Sequence, residues 1–173
     1  MSTYAEFMPQ LIKMLENLDG WLVEAEAHTT AQGLDPAALV QARLAPDMFP
    51  LGRQVMSACD TPKLAAARLS GMEAPVHADT EATLPELRER IASTLAYLRL
   101  FTEVHFEAAS EVVLSPGFLR GGSITGVDYL REFVLPNTYF HLAMAYGILR
   151  HNGVPLGKRA WLGAMNVRMP TPE

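Results

Sequence analysis

Cysteine is nearly missing: Cys59 stands alone among 173 residues, which excludes an intramolecular disulfide. Charge is scarce too. Charged residues make up 19% of the chain, and a balance of −5 lacks the basic excess that a nucleic-acid-binding face needs. No apolar run approaches the roughly 20 residues of a membrane helix, so no membrane span is expected. The stretch from Met1 to Glu6 has no basic start ahead of an apolar run, so no signal peptide is read there. No glycine-rich phosphate loop, nucleophile elbow, internal repeat or low-complexity run is visible. The expectation from these absences is a single domain over 1–173 in a reducing cytoplasm.

What is present is apolar patterning. Hydrophobic residues are 49% of the chain, enough for a sizeable core. In the first stretch, Thr3 to Ala27, the residues Tyr4, Met8, Leu11, Leu15, Leu18, Leu22 and Ala25 alternate by four and three, a bundle-type seam. Thr3 and Glu6 resemble a capping box, Trp21 lies beside the seam, and Pro9 should bend the first turns. Residues 28–39 read as a loop with one short helix after Asp35-Pro36. The second stretch opens with Asp47 as N-cap and Pro50 in the first turn. It carries Leu51, Val55, Ala58 and Cys59, should kink at Pro62, and stops at Gly71.

After a linker from Met72 to Ala82, Thr83 and Glu86 make a capping box with Pro85 in the first turn. Leu87, Ile91, Leu95 and Leu98 continue this third seam toward Phe106. Residues 112–114 and 123–125 flank Pro116-Gly117 and Gly121-Gly122, the pattern of a very short β-hairpin. The fourth seam runs from Gly126 to Gly153. Its apolar residues recur at Phe140, Met144 and Ile148 and at Leu142, Ala145 and Leu149. Pro136 in its middle demands a bend or a restart. Trp161 sits in one further helical turn, and about 164–173 is read as a polar, Pro-broken tail that can be disordered. Four seams with long connections near 28–45 and 107–126 predict an all-α four-helix bundle that is not a simple up-and-down series.

Most chemistry-bearing side chains have a plain structural reading. His28 reads as a solvated helix end, His77 as an exposed loop residue and His105 as a half-buried residue at a helix end. His151, in a last turn, offsets the helix dipole. Cys59 lies on an apolar face as a small core residue. Lys158-Arg159 is too small for a nucleic-acid patch. The exception is the pair Asn137 and His141, four residues apart and so on one helix face. His141 reads either as a buried histidine bonded to Tyr129 or Asn137, or as the proton-carrying or substrate-binding group of a pocket.

The local residues Ala42-Arg43-Leu44-Ala45-Pro46-Asp47-Met48-Phe49-Pro50-Leu51, Ala66-Ala67-Arg68-Leu69-Ser70-Gly71, and Leu135-Pro136-Asn137-Thr138-Tyr139-Phe140-His141 running on to Gly157 carry a resemblance over nearly the whole chain. The chain resembles the DinB/YfiT-like superfamily, and within it an uncharacterised bacterial family. That resemblance implies a four-helix bundle, often dimeric, with three histidines around a divalent metal: one on the second helix and two, four apart, on the last. Here the pattern falls on His141, on Asn137 and in the region of Gln54. One imidazole and two neutral amides are a poor set for Zn²⁺ or Ni²⁺, and Asp47 adds a carboxylate only if its helix start faces the pocket. No metal or cofactor is therefore expected; the alternative is Zn or Ni on His141 with Asn137 and Asp47 or Gln54.

The reading that follows is a non-catalytic or weakly catalytic homodimer. Its small-molecule pocket is lined by Asp47, Gln54, Asn137 and His141. Two alternatives are a metal-dependent transferase acting on small thiols and a structural or interaction protein with a filled pocket.

Overall fold

The computed structural model describes residues 3–168, with the side chain of Thr3 left aside. The order is α1 (Thr3–Gln32), α2 (Pro36–Gln41), α3 (Leu51–Ser70), α4 (Leu84–Leu98), a 3-10 turn at Glu103–Phe106, and strands β1 (Val113–Leu114) and β2 (Ile124–Thr125). A helix of changing pitch follows: α5 (Gly126–Asp128), a π-turn at Tyr129–Val134 and α6 (Leu135–His151). The last element is α7 (Lys158–Leu162).

The four long helices α1, α3, α4 and α6 form an all-α four-helix bundle, with one two-stranded ribbon outside it. α1 packs beside α4 and α6, and α3 packs beside the same two. The order around the bundle is therefore α1–α4–α3–α6. The chain crosses a diagonal from α1 to α3 and again from α4 to α6, which is why those connections are long. The seam of α1 fills the middle: Leu15, Leu18 and Leu22 are fully buried, in one core with Leu51, Leu87, Ile91, Leu142 and Leu149.

Local chemistry fixes several ends. Thr83 Oγ1 accepts from Glu86 N–H at 3.3 Å, and the Glu86 carboxylate accepts from Thr83 N–H at 2.9 Å, a complete capping box. Asp35 caps α2 by accepting from Ala37 N–H at 2.9 Å. Gly71 closes α3 at φ 74°, a left-handed position that suits glycine. The ribbon pairs Val113 with Thr125 and Leu114 with Ile124, antiparallel. Gly126 leaves it where the chain passes so close that a Cβ would collide with the Ala109 carbonyl and lie 2.6 Å from Leu69 Cδ2.

Several expectations are corrected. α1 runs to Gln32, because Thr29 is buried and its hydroxyl turns back to the Ala25 carbonyl at 3.0 Å. His28 is thus a half-buried residue within the helix. α1 and α3 continue through Pro9 and Pro62. The bend and kink expected there are absorbed without a break, at Pro62 inside a packed interface where tertiary packing overrides propensity. Asp47 does not cap α3: it is exposed in a turn, and Pro50 holds the cap position in an extended conformation. A helix opening at Asp47 would need Phe49, the residue before a proline, to be helical, and that conformation is disfavoured.

α4 stops at Leu98, short of Phe106, because the chain reverses to bring Phe101 and Phe106 into the core, their ring centroids 5.7 Å apart. His105 instead closes that reversal, its Nδ1 accepting from Thr102 N–H at 3.1 Å. Phe140, placed by its spacing on an apolar face, is 50% exposed. Trp21 is wholly buried and stacks on Trp161 of α7, with centroids 5.3 Å apart. Of the expected tail, residues 164–168 carry no helix or strand, and 169–173 lie outside the described residues.

Candidate functional site

Pro136 shapes the site. A proline in a helix has no N–H to give and crowds the carbonyl four residues back. Here the preceding turn widens: Leu135 N–H reaches back five residues to the Leu130 carbonyl, and the π-turn passes directly into α6. The chain neither breaks nor restarts. The wide turn carries Tyr129 and Phe133, and α6 then presents Asn137 and His141 toward α3.

His141 is 9% exposed, and its Nδ1 lies 2.8 Å from Gln54 Oε1. Gln54, 1% exposed, donates its Nε2–H to the Phe49 carbonyl at 3.2 Å. The amide is therefore oriented with its oxygen toward the imidazole. An amide oxygen only accepts, so His141 Nδ1 carries the proton and Nε2 keeps its lone pair. Burial, and then the charge of Arg53, lower the His141 pKa from its ordinary 6.5 and favour this neutral form. The partner is neither Tyr129 nor Asn137. Asn137 instead donates to Thr61 Oγ1 at 2.8 Å, and Thr61 passes its own hydroxyl proton to the Ser57 carbonyl at 2.8 Å.

A cavity of about 210 Å³ opens between α3 and the π-turn with α6. Asn137 and His141 are in its wall, while Gln54 stands behind His141. Asp47 is not in the wall; with α3 opening at Leu51, its turn lies outside. Eight further side chains complete the wall: Ser57, Asp60, Thr61, Leu64 and Arg68 on α3, Phe118 from the segment between the strands, and Tyr129 and Phe133 on the wide turn. Apart from Tyr129, which was read only as a bonding neighbour of His141, they escaped the sequence reading, although Ser57, Thr61, Leu64 and Arg68 recur at four-three-four spacing on one face of α3. Arg68 donates to the Tyr129 hydroxyl and lies over the Tyr129 ring, 5.7 Å from its centre.

A second polar cluster sits between α3 and α4. Arg90, its side chain 1% exposed, meets Asp60 at 2.7 Å and Asp79 and Glu81 at 2.8 Å each. Burial opposes its charge, but those carboxylates outweigh burial and raise its pKa. Lys63 lies 2.8 Å from Asp60 Oδ1, an ion contact off the hydrogen-bonding direction, and 2.9 Å from His77 Nδ1. His77 also meets Ser93 at 3.1 Å, so it is half-buried rather than an exposed loop residue. Desolvation and then Lys63 lower its pKa. Cys59, fully buried alongside, has its thiol pushed up to about 12 by burial, with Arg90 opposing, which leaves it protonated and unreactive at neutral pH.

The metal that the superfamily resemblance implies does not suit these donors. His141 offers one nitrogen, Gln54 and Asn137 offer neutral amides, and the carboxylate in the cavity, Asp60, is already held by two cations. Among the described residues, no three His, Cys, Asp or Glu side chains converge.

The fold is that of a DinB-like helical bundle. The chain belongs to the family described as a domain of unknown function (DUF1993), which it matches over residues 3–162. It is similar to a solved DinB family member protein from Shewanella denitrificans at 47% identity, with a TM-score of 0.90 over 94% of this chain and 93% of that one. A comparison with curated proteins gave no match. No helix among the described residues is long and apolar enough to cross a membrane.

Proposed function

We propose that this chain is a small-molecule-binding DinB-like bundle that works as a homodimer, with a degenerate metal site turned into a hydrogen-bonded pocket. The observation that carries the reading is the 2.8 Å bond between His141 and Gln54. A metal-binding histidine gives its lone pair to the ion and its N–H to a supporting acceptor. His141 has the supporting acceptor, but two amides stand where further strong donors would be needed. What remains beside the cavity is a neutral imidazole with a free lone pair and an amide oxygen, both able to accept from a ligand hydroxyl or N–H. No activated nucleophile accompanies them in the wall, which favours binding over turnover. A single free cysteine, with no disulfide possible within the chain, fits a reducing cytoplasm.

The rival, a metal-dependent transferase acting on small thiols, rests on fold-level analogy. Elemental analysis of protein purified without a metal-affinity tag separates the two. The expected outcome is substoichiometric Zn and Ni. Near one metal per chain, lost in a His141→Ala variant, would overturn the proposal.

A further inference from the structure

Resting on the pocket reading above, we infer that the α3/α6 cavity takes a small aromatic carboxylate with a hydroxyl or N–H donor at the end opposite its acid. The first reason is charge. Two ionised side chains, Asp60 and Arg68, are in the cavity wall. Asp60 is neutralised from behind by Lys63 at 2.8 Å and Arg90 at 2.7 Å. Arg68 has no ion-pair partner among the described residues and spends one N–H on the Tyr129 hydroxyl. Its guanidinium is therefore the cavity's uncompensated charge, with a planar fork of donors left for a carboxylate.

The second reason is what holds that cation in place. The Tyr129 ring, fully buried, lies under Arg68 and stacks with Phe133, which stacks with Phe118 at a centroid distance of 4.3 Å. A flat apolar body beside these rings would meet aromatic surface next to the charge that binds its acid.

The third reason is the opposite end. Asn137 gives its N–H to Thr61 and keeps its carbonyl oxygen; His141 gives its Nδ1–H to Gln54 and keeps the Nε2 lone pair. This end offers two acceptors, the Asn137 oxygen and His141 Nε2, beside the second Asn137 N–H, so a ligand hydroxyl, which can donate as well as accept, suits it. Thr61, at the level of Asn137, and Arg68 are seven residues apart on α3, about 10 Å at 1.5 Å per residue. The acceptors and the guanidinium therefore stand at separate ends of the cavity. The volume of about 210 Å³ falls below the roughly 300 Å³ of pockets for drug-sized ligands and limits the occupant to a small body such as one ring.

Three probes test this on the full chain: 4-hydroxybenzoate, its neutral analogue 4-hydroxybenzyl alcohol, and benzoate, which lacks the donor. Calorimetric titration gives affinity, and the His141 ring-proton resonance reports location. The expected result is that 4-hydroxybenzoate binds about tenfold or more tighter than either analogue and moves the His141 resonance. In Arg68→Gln, an exposed substitution that leaves the core intact, the advantage over the alcohol disappears while the alcohol binds as before. An alcohol that binds as tightly as the acid, or an acid unaffected by Arg68→Gln, overturns the anion inference and leaves the pocket reading standing. Failure of all three to move His141 overturns the inference and counts against the pocket as well.

Discussion

At the scale of single residues, the position of one proton organises the site. Gln54 is locked by the Phe49 carbonyl, so it accepts from His141, and burial keeps that imidazole neutral. The consequence for stability has a definite sign. Well above pH 6.5 neither the folded nor the unfolded imidazole is charged, and the shift has no effect. Below it the unfolded chain takes up the proton first, which favours unfolding. Stability is thus lost between pH 6.5 and the lower folded value, then levels off. His77 is shifted the same way and adds to the loss. Urea unfolding between about pH 7.5 and 5.5 should show a falling midpoint in the native chain, with a shallower, not flat, fall in His141→Gln. An identical pH dependence in the variant would show that His141 is not the buried neutral base described here.

At the scale of elements, the widened turn before Pro136 changes the cost of that proline. A proline held in a straight helix costs roughly 3 kcal/mol, through the lost bond and the clash. The Leu135 N–H bond to the Leu130 carbonyl shifts the register by one residue and accommodates the ring. Pro136→Ala should therefore change stability by less than about 1 kcal/mol in urea unfolding, and a gain near 3 kcal/mol would mean that the strain was never relieved. The same turn shows where sequence reasoning stops. Pro136 announced a disturbance, and periodicity located the seams of α1, α3, α4 and α6, because apolar spacing records which face is buried. Caps with a side-chain mechanism, such as Asp35 and the Thr83–Glu86 pair, were equally legible. The π register was not, since a bend, a break and an extra residue per turn all satisfy a missing N–H. The end of α4 was missed because Phe101 and Phe106 keep an apolar rhythm whether the helix continues or the chain folds back. In the site, Asn137 and His141 stood out by spacing within one helix. Arg68 and Tyr129 meet across 61 residues of sequence, and nothing local announces that pairing.

At the scale of the whole molecule, the diagonal crossings put α3 and α6 side by side, so the aromatic wide turn and the polar face of α3 meet in one place. The surface around that place is apolar. Phe49 and Phe140, each 50% exposed, flank His141, and Phe118 and Leu64, 49% and 37% exposed, belong to the cavity rim. Leu44, 42% exposed, comes from the loop ahead of α3 and approaches Gly147 of α6. Isolated exposed apolar residues are ordinary, but a contiguous group marks a surface that gains by being covered. A second copy of this chain is the expected cover, as the superfamily resemblance implies. A stable homodimer buries on the order of 1,600 Å² in total, and exposed phenylalanines near the centre of such a face supply much of the apolar area. Sedimentation equilibrium at micromolar concentration should give a dimer, and Phe140→Glu should shift it to monomer by placing a charge in the interface. A native chain that sediments as a monomer would remove the homodimer, and a dimer indifferent to Phe140→Glu would move the interface to another face.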